Sequence, residues 1–330
     1  MSESFPVLIS SAGRRVALMN TFRAAQASLG LTGGVLAADM GRLSSAFHSA
    51  DRAFIVPRCT VDEFIPTMLE LCERQGVRLL VPTIDTELPF YAAARERFEQ
   101  IGTTIVISTP EVIRIAGDKI RTHEWLVSAG LPTVRQASVE QVRADPGAWP
   151  WPLLVKPVGG SSSIGVAVVG DLDELMIATR GEEYIVQTLA PGAEFTISFL
   201  ASRDGRCLCA VPRQRLETRA GEVSKGRAVR SASLEALAAR VCHALPGAYG
   251  ALNVQVFEDP DSGELNIIEI NPRFGGGFPL AHAAGADYPK WIIEELLGRT
   301  STASGDGWQD GLVMLRYDDA VFVSSREAGL

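Results

Sequence analysis

The first 110 or so residues alternate short apolar runs with amphipathic helical patterns, and this alternation limits the possible folds more than any other feature of the chain. Runs such as "PVLISSAG" and "VRLLVPTID" are typical of buried strands, and "RRVALMNTFRAAQASLG" and "ELPFYAAARERFEQIG" are typical of helices. Alternation at this spacing predicts a parallel sheet with helices on both faces. Because ligands of such sheets collect at the carboxyl ends of the strands, we expect residues 11–15, Asp39, Asp85 and Glu87 near one crevice.

The pattern changes around Asp118. A helical segment, "DKIRTHEWLVSAG", and a connector rich in Pro and Trp, "ADPGAWPWP", lead into a region where strands dominate from Leu153 onward. The sequence therefore predicts an α/β domain followed by an α+β part. We divide the chain into an N-terminal, Rossmann-like parallel-sheet domain over 1–115 and two further lobes over 116–190 and 191–330.

Composition narrows the function classes. The 330 residues include 46% hydrophobic ones, and no apolar run approaches the length of a membrane span. We see no basic leader before the first apolar run, so we expect a cytoplasmic protein without a membrane partner. The net charge of −8 argues against a nucleic-acid partner, because a protein that follows a phosphate backbone needs a basic surface.

Five cysteines form no CxxC pair. Cys207 and Cys209 are two apart on a predicted strand and are expected on one face, but no neighbouring Cys or His completes a tetrahedral metal site. We expect reduced thiols.

Gly13, in "SSAGRR", follows a strand and precedes a helix, where backbone N–H groups favour an anion. The glycine stands alone and does not form a G-x-G-x-x-G fingerprint, so a tight turn is the preferred interpretation. A nicotinamide-dependent oxidoreductase built on this sheet would need that fingerprint.

The stretch "VKPVGGSSSIGV" is richer in glycine. Gly160 and Gly165 fit the outer frame of a Walker A loop, but Val166 stands where the lysine is required, and Lys156 precedes the loop on a strand. With strands on both sides, the loop is predicted to be a hairpin that could fold over phosphates. An ordinary hairpin fits the residues equally well.

In "YIVQTLAPGAEFTIS", Gln187, the backbone of Thr188 and Leu189, and Glu194 could meet an adenine and a ribose. Taken alone, the stretch is more typical of a plain β-turn.

The stretch "LNIIEINPRFGGG" places Glu269, Asn271 and Arg273 at alternate positions, hence on one face of a predicted strand. Gln255 lies fourteen residues before Glu269, and a hairpin could bring the two together. Carboxylate and amide oxygens are ligands that Mg²⁺ accepts, and polar groups on an Ile-rich strand are costly unless paired. We predict a Mg²⁺ site at Gln255, Glu269 and Asn271, with Arg273 neutralising a developing phosphate charge.

With these motifs in this order, the chain resembles the ATP-grasp superfamily of carboxylate–amine (or carboxylate–thiol) ligases, close to the carbamoyl-phosphate synthase and biotin carboxylase branch. The stretches that carry the resemblance are "GDKIRTHEWLVSAGLP", "LLVKPVGGSSSIGV", "VQTLAPGAEFTIS", "NVQVF" and "IIEINPRFGGG". The resemblance implies a two-lobed ATP-grasp domain behind a leading α/β domain, with ATP and Mg²⁺ as cofactors and Mn²⁺ as an alternative ion.

The resemblance also implies roles for single residues. Lys119 and Lys156 are expected to contact the ATP phosphates, and the glycine-rich loop is expected to cover these phosphates as a lid. Gln255, Glu269 and Asn271 are expected to bind magnesium. The full nucleotide-binding set is Lys119, Lys156, Gly160, Ser161, Ser162, Ser163, Gln187, Thr188, Leu189 and Glu194. At position 187 the commoner residue in the family is Glu, so Gln187 leaves the nucleotide preference open. At position 255 the commoner residue is Glu or Asp, so the metal site is expected to carry less charge.

The activity implied is an ADP-forming ligase that activates a small-molecule carboxylate as an acyl phosphate and joins it to an amine, in a protein that is often a homodimer. Arg213 and Arg215 share a predicted strand face and could grip a carboxylate or the γ-phosphate; with Arg273 they form the predicted catalytic set. Weaker candidates at the rim are Arg14, Arg15, Asp85 and Glu87. Two alternatives stay open: a small-molecule kinase of the same fold, and a non-catalytic nucleotide-binding protein.

Overall fold

The computed structural model describes residues 3–159, 165–181, 183–219 and 221–330. The chain begins with a five-stranded sheet in the order β3-β2-β1-β4-β5, and every strand pair in it is parallel. The strands are β1 (Val7–Ser10), β2 (Val35–Asp39), β3 (Arg52–Ile55), β4 (Leu79–Val81) and β5 (Thr104–Ile105). The predicted parallel sheet is confirmed.

Helices cover this sheet because their apolar residues recur on one side. In α3, Phe64, Met68, Leu71 and Cys72 are buried, and the helix ends at Gly76, whose positive φ of 60° suits a residue without a side chain. The helices of this region are α1 (Val16–Ser28), α2 (Ser45–Ser49), α3 (Phe64–Gln75), α4 (Leu88–Gln100) and α5 (Pro110–Ala116).

A small lobe follows helix α6 (Lys119–Ser128). Its four-stranded sheet has the order β6-β9-β7-β8 and is antiparallel in all three pairs. Its elements are β6 (Gln136–Ser138), α7 (Val139–Ala144), β7 (Leu153–Pro157), β8 (Ala167–Val169), α8 (Leu172–Ala178) and β9 (Tyr184–Thr188). The glycine-rich stretch joins β7 to β8, as the hairpin prediction requires. Its predicted nucleotide-binding residues Gly160, Ser161, Ser162 and Ser163 lie outside the described residues.

The third part is an antiparallel sheet of six strands in the order β14-β13-β10-β11-β12-β15. The strands are β10 (Ala193–Ala201), β11 (Cys207–Arg219), β12 (Glu222–Ala228), β13 (Gly250–Glu258), β14 (Leu265–Asn271) and β15 (Val313–Leu315). The helices are α9 (Ala232–Ala244), α10 (Phe278–Ala283), α11 (Tyr288–Leu296) and the short α12 (Ser325–Ala328). The predicted fold class, a parallel-sheet domain followed by antiparallel lobes, is confirmed.

One hydrophobic core joins the first and third parts. Phe22 of α1 packs edge-on against Phe274 at a ring-centroid distance of 5.7 Å, and Phe274 packs against Phe278 at 4.8 Å. The same cluster of buried residues contains Val7 of the parallel sheet and Tyr288 of α11. The small lobe has a separate core, which lies entirely between Val142 and Val186. The parallel sheet is therefore held rigidly against the six-stranded sheet, and the small lobe is an independent packing unit.

All five cysteines are free thiols. The prediction that Cys207 and Cys209 share one face is wrong. The pairing of β11 with β10 shifts register next to Cys207, and the resulting irregularity turns Cys207 toward the core that contains Cys242. Cys209 packs into the core shared with the parallel sheet. A residue inserted in a strand reverses the alternation of faces, and sequence spacing alone does not reveal it.

Within the described residues, no helix is long and apolar enough to cross a membrane.

Candidate active site

A cavity of about 570 Å³ lies where the parallel sheet, the small lobe and the six-stranded sheet meet. Among the described residues that line it, six are cationic and four are acidic, so the cavity is locally positive in a chain whose net charge is −8. The cationic residues are Arg15, Lys119, Lys156, Arg213, Arg215 and Arg273, and the acidic ones are Asp85, Glu194, Glu222 and Glu269. A positive cavity of this size favours a phosphorylated or carboxylated small molecule.

The floor of the cavity is one face of the six-stranded sheet. Arg213, Thr196, Gln255 and Glu269 are register partners in a single row across β11, β10, β13 and β14. Two residues along each strand, a second row contains Ser198 of β10, Asn253 of β13 and Asn271 of β14. Because side chains two apart on a strand share a face, both rows point into the same space. The hairpin predicted to pair Gln255 with Glu269 is confirmed.

Two lysines face this floor from the small-lobe side. Asp118 caps α6 by accepting hydrogen bonds from the backbone N–H groups of Ile120 (2.8 Å) and Arg121 (3.2 Å), which fixes Lys119 at the start of the helix. Lys119 Nζ donates to the carbonyl of Val158 at 3.2 Å, at the start of the glycine-rich stretch. Burial lowers the pKa of Lys119, and Glu269 opposes that shift.

Lys156 of β7 reaches across to β14. Its Nζ donates to the carbonyl of Ile268 at 3.4 Å, and the residue is only 7% exposed. Burial lowers the pKa of Lys156 to about 8, with Glu269 opposing and Lys119 adding to the shift. Because the pKa of Lys156 lies only slightly above neutral pH, a bound phosphate would stabilise its charged form.

The predicted magnesium residues lie side by side. The Gln255 amide bridges the Glu269 carboxylate and the Arg215 guanidinium, and Asn271 Oδ1 accepts from Arg273 Nη2 at 3.4 Å. Burial raises the pKa of Glu269, and Lys156 opposes this shift. No group of three or more His, Cys, Asp or Glu side chains suited to a metal occurs in the described part of the chain. One partly buried carboxylate and two amide oxygens fit Mg²⁺ when phosphate oxygens complete its coordination.

Two of the three predicted catalytic arginines are engaged by carboxylates. Arg273 makes a two-pronged contact with Asp85 of the N-terminal domain, at 2.8 Å from Nε to Oδ1 and 2.6 Å from Nη2 to Oδ2. Arg215 Nη1 lies 2.9 Å from Glu194 Oε1. Glu194, the predicted ribose acceptor, therefore has a partner inside the protein, and Asp85, a weaker candidate at the rim, positions Arg273.

Comparison with known proteins agrees with this geometry. The family model described as "PylC-like, N-terminal domain" matches residues 7–106, and that described as "ATP-grasp in the biosynthetic pathway with Ter operon" matches residues 180–318. The second half of the chain is thus similar to ATP-grasp proteins. The predicted resemblance is confirmed, and it extends over both ends of the chain.

The chain is similar to a named enzyme over part of its length. It is 30% identical over 211 residues to the D-alanine--D-alanine ligase of Stutzerimonas stutzeri, an alignment that covers 55% of this chain and 65% of that ligase. The chain thus spans slightly less than two thirds of that relative's length.

Two solved structures share the fold of this chain. One is the biotin carboxylase domain dimer of Hydrogenobacter thermophilus 2-oxoglutarate carboxylase with MgADP, ADP and bicarbonate, at a TM-score of 0.73 and 20% identity, covering 93% of this chain and 73% of the other. The other is the ADP complex of purK, N5-carboxyaminoimidazole ribonucleotide synthetase, at 0.72 and 16%, covering 93% and 80%.

Of the predicted adenine partners, Gln187 and Thr188 end β9 and Leu189 directly follows it. Gln187 is 3% exposed; its Nε2 donates to Gln136 Oε1 at 2.7 Å, and its Oε1 has no partner. Gln187 pairs in register with Leu154, which lines the cavity, whereas Gln187, Thr188 and Leu189 are absent from the lining. The contact of these three residues with an adenine therefore stays a prediction.

The remaining rim candidates Glu87, Arg14 and Arg15 differ in their positions. Glu87 is fully buried and accepts from the hydroxyls of Ser10 and Ser11 at 2.7 Å and from the backbone N–H of Thr83, so it holds two loops together. Burial raises the pKa of Glu87, and Ser10 opposes the shift. The Arg14 side chain is 80% exposed and does not line the cavity. Arg15 does line it, 3.6 Å from Glu222.

Sequence reasoning did not predict Asn253, Ser198 and Glu222 as residues of the site. Asn253 could have been found, because it stands two residues before Gln255 on the same predicted strand. Glu222 reaches the cavity only because the β11–β12 hairpin folds over it, a placement that no local pattern encodes.

Proposed function

We propose that this protein is an ATP-dependent ligase that activates a small-molecule carboxylate as an acyl phosphate and joins it to an amine, releasing ADP and phosphate. The observation that carries the proposal is the placement of Lys119 and Lys156 opposite the row that contains Gln255 and Glu269, inside one cavity. This combination supplies cations for phosphate groups and oxygen donors for a divalent cation.

Each residue has a defined role in the proposal. Lys119 and Lys156 bind the phosphates of ATP, and Gln255, Glu269 and Asn271 would hold Mg²⁺. When bound, Mg²⁺ supplies charge neutralisation for the transferring phosphoryl group. Because phosphoryl transfer needs positioning and charge compensation more than covalent chemistry from the protein, no side-chain nucleophile is required.

The bond changes are balanced. A carboxylate oxygen forms a bond to the γ-phosphorus, and the bond from that phosphorus to the β–γ bridging oxygen breaks, which releases ADP. The amine nitrogen then forms a bond to the acyl carbon as the acyl C–O bond breaks; phosphate leaves and the nitrogen loses a proton. Arg273, beside Asn271, offsets the charge that develops on the phosphoryl group.

We also propose a homodimer and a cytoplasmic location, by analogy with metabolic enzymes of this kind. Light scattering on the purified protein tests the first and subcellular fractionation tests the second.

The test of the activity is product analysis by phosphorus NMR with Mg-ATP and pooled amino acids, other small carboxylates and amines. The proposal predicts ADP and free phosphate only when both an acid and an amine are present. A stable phosphorylated compound without free phosphate would identify a kinase, and AMP with pyrophosphate would show adenylate chemistry.

Glu269→Gln removes the one carboxylate of the metal set and should reduce turnover by at least about 100-fold while leaving the fold intact. Glu264→Gln, an exposed change just before the same strand, is the matched control and should retain activity. Circular dichroism verifies folding of both, and an active Glu269→Gln variant would refute the metal assignment.

A further inference from the structure

The four arginines that line the cavity differ in one respect. Three of them lie within ion-pair distance of a carboxylate of the protein: Arg15 with Glu222 at 3.6 Å, Arg215 with Glu194 at 2.9 Å and Arg273 with Asp85 at 2.6 Å. Arg213 is the fourth. In the part of the chain that the structure describes, no Asp or Glu lies within ion-pair distance of Arg213.

The hydrogen-bond partners of Arg213 are polar but neutral. Its Nη2 donates to Ser198 Oγ at 2.9 Å and to Asn253 Oδ1 at 3.3 Å, and its Nε has no partner. The residue is 3% exposed. Burial lowers the pKa of Arg213 to about 10, and Arg215 adds to that shift, so the guanidinium is still charged at neutral pH.

A buried charge without a counter-ion is expensive, and it is tolerated where a ligand supplies the opposite charge. A carboxylate fits the guanidinium fork, because its two oxygens accept two parallel N–H groups. The cavity places Arg213 where such a ligand can reach it, since Arg213 and Asn253 both line the open space.

The position of Arg213 separates it from the phosphate-binding side. Lys156 reaches β14, whereas the backbone of Arg213 stands three strands away from Glu269 in the same row, about 14 Å at the usual strand spacing. Asn253, to which Arg213 is bonded, pairs directly with Asn271 of the metal set. An anion on Arg213 would therefore lie beside the site of phosphoryl transfer and not among the phosphates.

The loop that follows β14 packs against Arg213 and Asn253. Asn253 Nδ2 donates to the carbonyl of Arg273 at 2.6 Å, and the backbone of Gly277 lies so close to Arg213 that a side chain at 277 would overlap the guanidinium. Glycine at 277 thus allows the loop to close over the arginine without displacing it.

We propose that Arg213 binds the carboxylate of the acid substrate and so sets the affinity for that acid. This assignment rests on the ligase function proposed above. It gives Arg213 a role distinct from that of Arg215, which is paired with Glu194 and bridged to the metal set.

The experiment uses hydroxylamine as a surrogate amine, because it converts acyl phosphates to hydroxamates that are measured by colour. Full-length protein with Mg-ATP is screened against a panel of amino acids and simple carboxylic acids, and the acid that gives hydroxamate is titrated against wild type and Arg213→Lys. Lysine keeps the charge but cannot offer two parallel N–H groups. We expect the KM for the acid to rise on the order of 10- to 100-fold, with the MgADP dissociation constant changed less than about twofold.

Arg227→Lys is the matched control. Arg227 is exposed on the adjacent strand β12 and donates to Gln214 Oε1 at 2.9 Å, away from the cavity, so its KM should equal that of wild type. Arg213→Gln, which removes the charge, should abolish hydroxamate formation while retaining MgADP binding, and that retained binding shows that the variant is folded.

The outcomes are separable. Hydroxamate formation with an unchanged KM in Arg213→Lys overturns the assignment of Arg213 and leaves the ligase proposal standing. Equal losses of acid and MgADP affinity would mean a structural role for Arg213 and also overturn the assignment. The absence of hydroxamate with every acid contradicts the ligase proposal and this inference together.

Discussion

Burial lowers the pKa of Lys156, which is a proposed ligand of the ATP phosphates. It extends from β7 into a cavity that leaves it 7% exposed, and its pKa falls to about 8 because desolvation outweighs the attraction of Glu269. In the free protein, Glu269 compensates the charge of the Lys156 ammonium only in part. A bound phosphate group would add negative charge and raise the pKa of Lys156.

The proposed phosphate-binding role of Lys156 predicts that nucleotide affinity depends on pH. Below pH 8 the Lys156 ammonium is charged and attracts phosphate; as pH rises through the pKa of the free protein, the charge is lost and the affinity for MgADP should fall, at most about tenfold per pH unit. Lys156→Arg keeps the charge over this range, so the decline should be much weaker. Calorimetric titration from about pH 6.5 to about pH 9.5 measures the affinity of both proteins for MgADP. Identical pH profiles in the two proteins would contradict the role of Lys156.

Gln255 contributes no charge to the proposed Mg²⁺ site. Gln255→Glu would place a second carboxylate next to Glu269, and more carboxylate ligands bind a divalent cation more tightly. We expect the dissociation constant for Mg²⁺, measured by calorimetry with ADP present, to fall about tenfold, and the metal-free protein to be less stable because two buried carboxylates repel. Gln214→Glu adds the same charge on β11 outside the cavity and is the control. Equal Mg²⁺ affinities in all three proteins would show that position 255 does not face the ion.

At the scale of elements, an ion pair joins the N-terminal domain to the end of β14. Asp85 follows β4, and Arg273 follows β14, so their contact fixes the edge of the parallel sheet against β14. The two side chains are 37% and 15% exposed, and the two-pronged geometry is the strong form of such a pair.

Asp85→Asn should therefore lower the free energy of unfolding by about 1–3 kcal/mol, because a partly buried guanidinium loses its counter-charge. The pair Glu70–Arg74 is a suitable reference: both side chains are more than half exposed, and Glu70→Gln should cost less than about 0.5 kcal/mol. Urea denaturation followed by circular dichroism compares the variants. Equal stabilities would mean that the contact between the domains contributes nothing.

At the scale of the whole molecule, the shared core explains how three parts form one cavity. Phe22, Phe274 and Phe278 belong to one packed cluster, so the parallel sheet and the six-stranded sheet share a core. The small lobe packs on its own core, which leaves it as the part best able to adjust to a nucleotide.

Part of this arrangement could be predicted from the sequence. The parallel sheet follows from local periodicity, and the pairing of Gln255 with Glu269 follows from a short turn between two strands. The Asp85–Arg273 and Arg215–Glu194 pairs could not be predicted, since they depend on how domains dock and on the register between β10 and β11. The faces of Cys207 and Cys209 depend on a strand irregularity that no residue type announces. The boundaries at 115 and 190 and the roles of single site residues stay predictions.

The most direct test of the central claim follows an oxygen atom. A carboxylic acid labelled with ¹⁸O in its carboxylate is incubated with the protein, Mg-ATP and an amine, and the released phosphate is analysed by phosphorus NMR, where ¹⁸O shifts the signal. Activation through an acyl phosphate predicts that one labelled oxygen appears in inorganic phosphate for each amide formed. Unlabelled phosphate, or label in AMP, would contradict the mechanism proposed for this cavity.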